Sequence, residues 1–174
     1  RLKAVLDDTE TELDNDLRFA ESLRRNQNVV MGYFFFMSRD EIRHRKEQKG
    51  GSEDFQLPSR FTSVRSIQKG APEPPLPAAL EVEQNIAVLS KAASDFGYFN
   101  IVPDTDGTVR WVPLAIKRGD SVYPHLSLEA ARKYLGSPPL FVNTAEYGVD
   151  SIQLGKQILP TDERGRLLIN FRGD

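Results

Sequence analysis

The stretch Phe96-Gly97-Tyr98-Phe99-Asn100-Ile101-Val102, then Pro103-Asp104-Thr105-Asp106-Gly107, then Thr108-Val109-Arg110-Trp111-Val112-Pro113-Leu114-Ala115-Ile116 decides how the chain reads. Two apolar runs, rich in aromatic and β-branched residues, flank a short segment of turn-forming residues. That pattern predicts a β-hairpin over about residues 96–117. Asp106-Gly107 is the expected turn pair, because a type I′ turn places both central residues at positive φ, which Gly adopts freely and Asp tolerates. Pro103 has no N–H and is expected to close the first strand. In the second run Val109, Trp111 and Ala115 fall on one face and Val112, Leu114 and Ile116 on the other. A hairpin covered on both faces belongs in the interior of a domain.

The rest of the chain sets the context for this element. Its 174 residues fit one domain, and 39% hydrophobic with 28% charged residues is ordinary globular composition. A formal net charge of -2 argues against a general nucleic-acid or anionic-membrane binder, since no basic excess exists to neutralise phosphates. Cys is absent, which excludes disulfides, thiolate zinc sites and cysteine nucleophiles. The longest apolar run, residues 29–37, is far shorter than the ~20 residues of a membrane helix. Both chain ends are expected to be cuts inside a larger protein.

Residues 11–25 predict an amphipathic helix, with Leu13, Leu17, Ala20 and Leu23 on one side and Arg24-Arg25 suiting its C-terminal dipole. Residues 29–36 follow as a buried, nearly all-apolar strand, and a helix feeding such a strand is an α/β signature. Residues 38–54 are densely charged and read as a solvated, mobile excursion with a helical turn or two. An unpatterned link continues to Pro77, so residues 38–80 read as one long insertion or loop. Helical spacing returns over 77–94 at Ile86, Leu89 and Ala93, and Gly97 ends it. After the hairpin, residues 117–120 form a turn and 121–123 a short returning strand. Pro124 then occupies the first position of a helix, marked by Leu126, Ala130, Ala131 and Tyr134, that Gly136 and Pro138-Pro139 terminate. The tail reads as short strands at 141–142, 151–154, 157–159 and 167–171, separated by turns at Asn143, Gly148, Gly155 and Gly165. The expected fold class is α/β, with α+β as the alternative: a single domain with a mixed, largely antiparallel sheet flanked by helices.

Several stretches together carry a family resemblance. Asp95-Phe96-Gly97-Tyr98-Phe99-Asn100-Ile101, Pro103-Asp104-Thr105-Asp106-Gly107-Thr108-Val109-Arg110 and Val112-Pro113-Leu114 resemble the second class of CHASE sensory domains. So do Tyr123-Pro124-His125-Leu126-Ser127-Leu128-Glu129-Ala130 and, in the tail, Ile158-Leu159-Pro160 and Gly165-Arg166-Leu167-Leu168-Ile169-Asn170-Phe171-Arg172-Gly173. Upstream, Asp14 to Ala20 followed by Asn28-Val29-Val30-Met31-Gly32 resembles the family's acidic helix and the strand after it. The resemblance implies an extracytoplasmic input module, periplasmic or extracellular, of a bacterial receptor anchored in the inner membrane through segments outside this chain. It implies an output through an adenylate or diguanylate cyclase, a histidine kinase or a Ser/Thr kinase, and no catalysis by this segment. The family's opening strand-rich segment and its closing segment are lacking, so the chain is expected to be a partial domain. An edge left unpaired by truncation would favour a homodimer.

Candidate ligand-binding residues are Asn100, Asp104, Asp106, Arg110 and Tyr123. Asp104 and Asp106 suggest a cation or polar-ligand site at a hairpin tip, but Asp and Gly are also what a tight turn selects. The further oxygen ligands of a calcium loop are missing. A metal-dependent transferase would need a nucleotide-binding framework, and no glycine-rich phosphate loop is present. Arg110 either pairs with one of these carboxylates or reaches an anionic ligand through its planar fork. Asn100 and Tyr123 are candidates to line a pocket, and both are also ordinary residues near strand ends and helix starts. His44 and His125 lack a second ligand at metal spacing, and Ser94 and Ser127 lack the partners of a serine triad. Phe34, Phe35, Phe36, Phe99 and Trp111 are read as core. No cofactor, no metal and no catalytic residue is expected, and the stimulus is an unidentified small molecule or environmental signal. A metal-dependent enzyme using Asp104 and Asp106, and a ligand-free oligomerisation module, are the alternatives.

Overall fold

The computed structural model describes residues 14–43, 57–67 and 73–172. In chain order the elements are α1 (Asn15–Arg25), β1 (Val30–Phe36), α2 (Arg39–Arg43), β2 (Ser63–Ser66), β3 (Glu81–Glu83), α3 (Ala87–Ser90) and β4 (Asp95–Tyr98). Then come β5 (Trp111–Pro113), β6 (Ala115–Arg118), β7 (Ser121–Pro124), α4 (Leu126–Tyr134), β8 (Leu140–Ala145), β9 (Gly148–Leu154), β10 (Gln157–Pro160) and β11 (Arg166–Leu168). The strands form sheets in the orders β3-β1-β4 and β10-β9-β8-β2, with two-stranded pairs β11-β5 and β6-β7. Mixed sheets flanked by helices make this an α/β fold, as the sequence predicts.

The predicted central hairpin does not form. β4 leaves its sequence neighbour and pairs in parallel with β1, from Val30↔Asp95 to Tyr33↔Tyr98. β5 pairs antiparallel with β11 instead. The physical reason lies in β1, an apolar strand with two edges to satisfy; β3 takes one edge antiparallel and β4 the other. Asn100 prolongs the second ladder. Its Oδ1 accepts from Phe35 N at 2.9 Å and its Nδ2 donates to Phe35 O at 2.7 Å. The chain then departs through Pro103. The turn itself is present, one residue earlier than expected: Gly107 N donates to Asp104 O at 2.8 Å and Asp104 N to Thr108 O at 2.9 Å. Gly107 has φ +81°, whereas among the described residues Ser137 is the one non-glycine at positive φ. Asp106 therefore cannot supply a type I′ turn. The arrangement is a turn centred on Thr105-Asp106 followed by a left-handed Gly.

An interior hairpin does exist, one element later. β6 and β7 pair antiparallel from Ala115↔Pro124 to Arg118↔Ser121, joined by Gly119-Asp120. Ala115 and Val122 enter a core with Leu140, Val142 and Ile152. Ile116 and Tyr123 enter a second core with Tyr33, Phe35 and Phe96. Trp111, by contrast, is half-buried, with Arg166 5.2 Å from its ring centroid, and Phe99 is 46% exposed. Of the five aromatics read as core, Phe35 alone is fully buried; Phe34 and Phe36 are half-buried.

Other expectations resolve locally. α1 begins at its N-cap Asp14, whose side chain accepts from Asp16 N and Leu17 N, and it ends on Arg24-Arg25. It buries Ala20 and Leu23 against Ala92 near α3, while Leu17 is 39% exposed and Leu13 lies outside the described residues. The charged excursion contributes α2, a short exposed helix, and its remainder falls outside the described residues. Within the stretch read as an unpatterned link, Leu57, Ser59 and Phe61 are buried and β2 pairs in parallel with β8. Over 77–94 the predicted helix shrinks to the single turn α3. Residues 79–82 are strand-like instead, with Ala79 N bonded to Lys117 O, Leu80 N to Phe36 O, and Val82 buried. Pro124 closes β7, and His125 caps α4 in its place. α4 ends as expected, with Gly136 at φ +80°. Asn143, read as a turn, sits inside β8 beside a bulge.

Candidate functional site

The five predicted site residues separate into two groups. At the loop tip, Arg110 gathers both aspartates. Its Nη1 lies 3.0 Å from Asp104 Oδ2 and 3.0 Å from Asp106 Oδ1, and its Nη2 lies 2.8 Å from Asp106 Oδ2. The fork on Asp106 is bidentate, the geometry for which guanidinium is suited. Thr108 N donates a third bond to the Asp106 carboxylate, on Oδ1 at 3.0 Å. The Arg110 guanidinium, helped by Thr108, lowers the Asp106 pKa to about 2. Arg110 and Asp106 are open to solvent and Asp104 is half-buried. The tip is therefore a self-satisfied charge cluster in which a cation would have to displace Arg110. Among the described residues no group of three or more His, Cys, Asp or Glu could hold a metal ion.

Asn100 and Tyr123 belong to the interior. Asn100 is 4% exposed and both ends of its amide are committed to Phe35. Tyr123 is 8% exposed, and its ring packs edge-on to Phe35 at 5.6 Å between centroids. The two meet at Phe35, and neither belongs to the charged tip.

A second polar group, unforeseen in the sequence, surrounds the start of α4. His125 Nδ1 accepts from Ser127 N at 3.2 Å and lies 2.8 Å from Ser127 Oγ. The imidazole packs edge-on to Tyr98 at 5.3 Å, and burial lowers its pKa to about 4. Tyr98 Oη donates to Pro113 O at 2.5 Å. One turn along, Glu129 is 1% exposed, with Oε1 accepting from Arg132 Nη1 at 2.9 Å. Burial raises the Glu129 pKa against the pull of Arg132. Lys133 of α4 pairs with Asp95 of β4, and Arg132 Nε donates to Pro138 O at 2.8 Å. Both contacts pin the helix to its surroundings. The apolar positions that mark this helix in the sequence point to another face: Ala130, Ala131 and Tyr134 are exposed, and the buried positions are Leu128 and Glu129.

Two cavities among the described residues lie elsewhere. A cavity of about 380 Å³ sits between β2, residues 73–76 and the β6-β7 hairpin, with Thr144 of β8 at its base. A neighbouring one of about 430 Å³ runs along residues 60–64 and 120–122. None of the five predicted residues lines either of them. The signal that could have found this place was faint: a mixed-charge turn, Lys117-Arg118-Gly119-Asp120, standing beside two apolar runs.

Among the described residues no helix is long and apolar enough to cross a membrane. Comparison with known proteins found no matching curated protein and no matching solved structure. The family model described as the CHASE2 domain, however, matches residues 2–174. The match includes the upstream acidic helix, the loop around Gly107 and the C-terminal strands, the same regions that carry the resemblance in the sequence. The chain belongs to the CHASE2 family, extracytoplasmic sensory domains of signalling receptors.

Proposed function

We propose that this chain is the stimulus-receiving module of a bacterial membrane receptor, lying on the periplasmic or extracellular face. It controls a cytoplasmic adenylate or diguanylate cyclase, histidine kinase or Ser/Thr kinase. The observation that carries the reading is the family match over residues 2–174. The open cavities beside the interior hairpin are compatible with a ligand-driven module, and they weigh against a ligand-free spacer. A module of this kind signals by shifting between two packings, and a ligand moves that balance only as far as it binds one packing better than the other. The metal-dependent enzyme draws no support from a tip where one guanidinium already holds both carboxylates.

The test uses the full-length parent reconstituted in vesicles with this domain outward. A small-molecule ultrafiltrate of the source bacterium's spent growth medium is added outside, and nucleotide or phosphoryl output is measured inside. The expected result is a several-fold change in output that vanishes when this domain is deleted. An output indifferent to the ultrafiltrate, or a response that survives deletion, would contradict the reading.

A further inference from the structure

We propose that the groove between β2 and the β6-β7 hairpin binds a small zwitterion, an α-amino acid, and is the stimulus site of this module; the inference rests on the sensory reading above. The two cavities there meet at Val64, Asp120 and Val122. The first, at about 380 Å³, is by itself within the range of small-molecule pockets. Val64, Leu76 and Val122 give it an apolar lining, and the hydroxyls of Ser66 and Thr144 add polar points.

Charge selects the ligand class. The first cavity carries the Lys117 ammonium and the Glu73 and Asp120 carboxylates, and the second adds the Arg60 guanidinium. Among the described residues the two linings carry charges of both signs, so a zwitterion meets an opposite charge at each end, whereas a ligand of one charge engages only one of them. Lys117 pairs with Glu73, which is 69% exposed. An exposed pair of this kind is weakly held, so a ligand carboxylate exchanges with Glu73 at little cost. Asp120, in the turn between β6 and β7, faces the ligand ammonium.

Position supplies the means of response. Lys117, Asp120 and Val122 all lie on the β6-β7 hairpin, whose other residues enter both cores. Packed cores respond to displacement by switching arrangement rather than by yielding continuously. A ligand drawing Lys117 and Asp120 together therefore acts on both cores at once.

The experiment titrates each of the twenty free amino acids into the 174-residue chain, followed by amide NMR shifts and calorimetry. At least one amino acid is expected to shift the amides of Val64, Lys117, Asp120 and Val122. Asp120→Asn, on an exposed turn, is expected to weaken it at least tenfold with an unchanged melting temperature, and Lys117→Gln similarly. The N-acetylated and amidated derivatives are expected to fail. Binding that shifts other regions, binding equally tight in Asp120→Asn, or no binding at millimolar concentration would overturn the site. If the intact receptor still answers the growth-medium ultrafiltrate in any of those cases, the sensory reading survives and the zwitterion site alone falls.

Discussion

Asn100 completes a β-ladder with its side chain. Its amide offers one acceptor and one donor to Phe35, as a strand residue's backbone would, at a depth where water cannot substitute. Removing it strands a buried N–H and a buried C=O, each costing about 1–3 kcal/mol. Asn100→Ala is therefore expected to destabilise the domain by roughly 2–4 kcal/mol in urea unfolding. Asp106→Ala, at the solvated tip, is expected to leave the midpoint close to that of the wild type. Equal losses in the two variants would contradict the separation of the predicted site into a structural and an exposed half. His125 gives the pH counterpart. Its pKa falls from 6.5 unfolded to about 4 folded, so the unfolded chain takes up the proton first on acidification. Its contribution is complete above pH 6.5 and is lost as the pH falls toward 4, by about 2 kcal/mol after allowing for partial exposure. His125→Asn keeps a capping acceptor without titrating, and its unfolding free energy is expected to lose that share of the slope. An unchanged slope would contradict the buried, neutral imidazole.

Elements with local signals were legible in the sequence; those joined over a distance were not. α1 ending on Arg24-Arg25, α4 ending at Gly136, and the turns near Gly148 and Gly155 carry their stop chemistry within a few residues, whereas the Asp14 cap falls inside the helix expected to start at residue 11. The parallel pairing of β1 with β4 carries none, because the two strands lie far apart in the chain and register is settled by which edges remain to be filled. Residues 57–61 show the same limit. The alternation of Leu57, Ser59 and Phe61 is too short to stand out beside charged and Pro-rich neighbours. Gly97, read as a helix stop, is required for another reason: a Cβ there would lie 2.5 Å from Leu126 Cα, where α4 begins against β4. Gly97→Ala is expected to cost about 1–3 kcal/mol or more through backbone displacement. Gly107→Ala, with nothing within 4 Å of its Cβ but φ +81°, is expected to cost about 1 kcal/mol from conformation alone. Thermal melts that rank these two the other way would contradict the seating of α4 on β4.

At the scale of the whole molecule, the family was readable because its motifs are distributed along the chain, while the cavity was not. Its walls come from β2, residues 73–76 and the β6-β7 hairpin, and no single stretch of sequence announces such a meeting. The predicted residues include the loop between β4 and β5, whereas the two cavities found among the described residues lie beside the next hairpin. The central claim, that this domain faces away from the cytoplasm, is open to one direct measurement. The chain contains no Cys, and Tyr134 on α4 is 90% exposed. In a full-length parent stripped of its other cysteines, Tyr134→Cys would be treated with a membrane-impermeant maleimide on cells with an intact inner membrane. The account predicts labelling equal to that after lysis. Labelling only after the inner membrane is broken would contradict it.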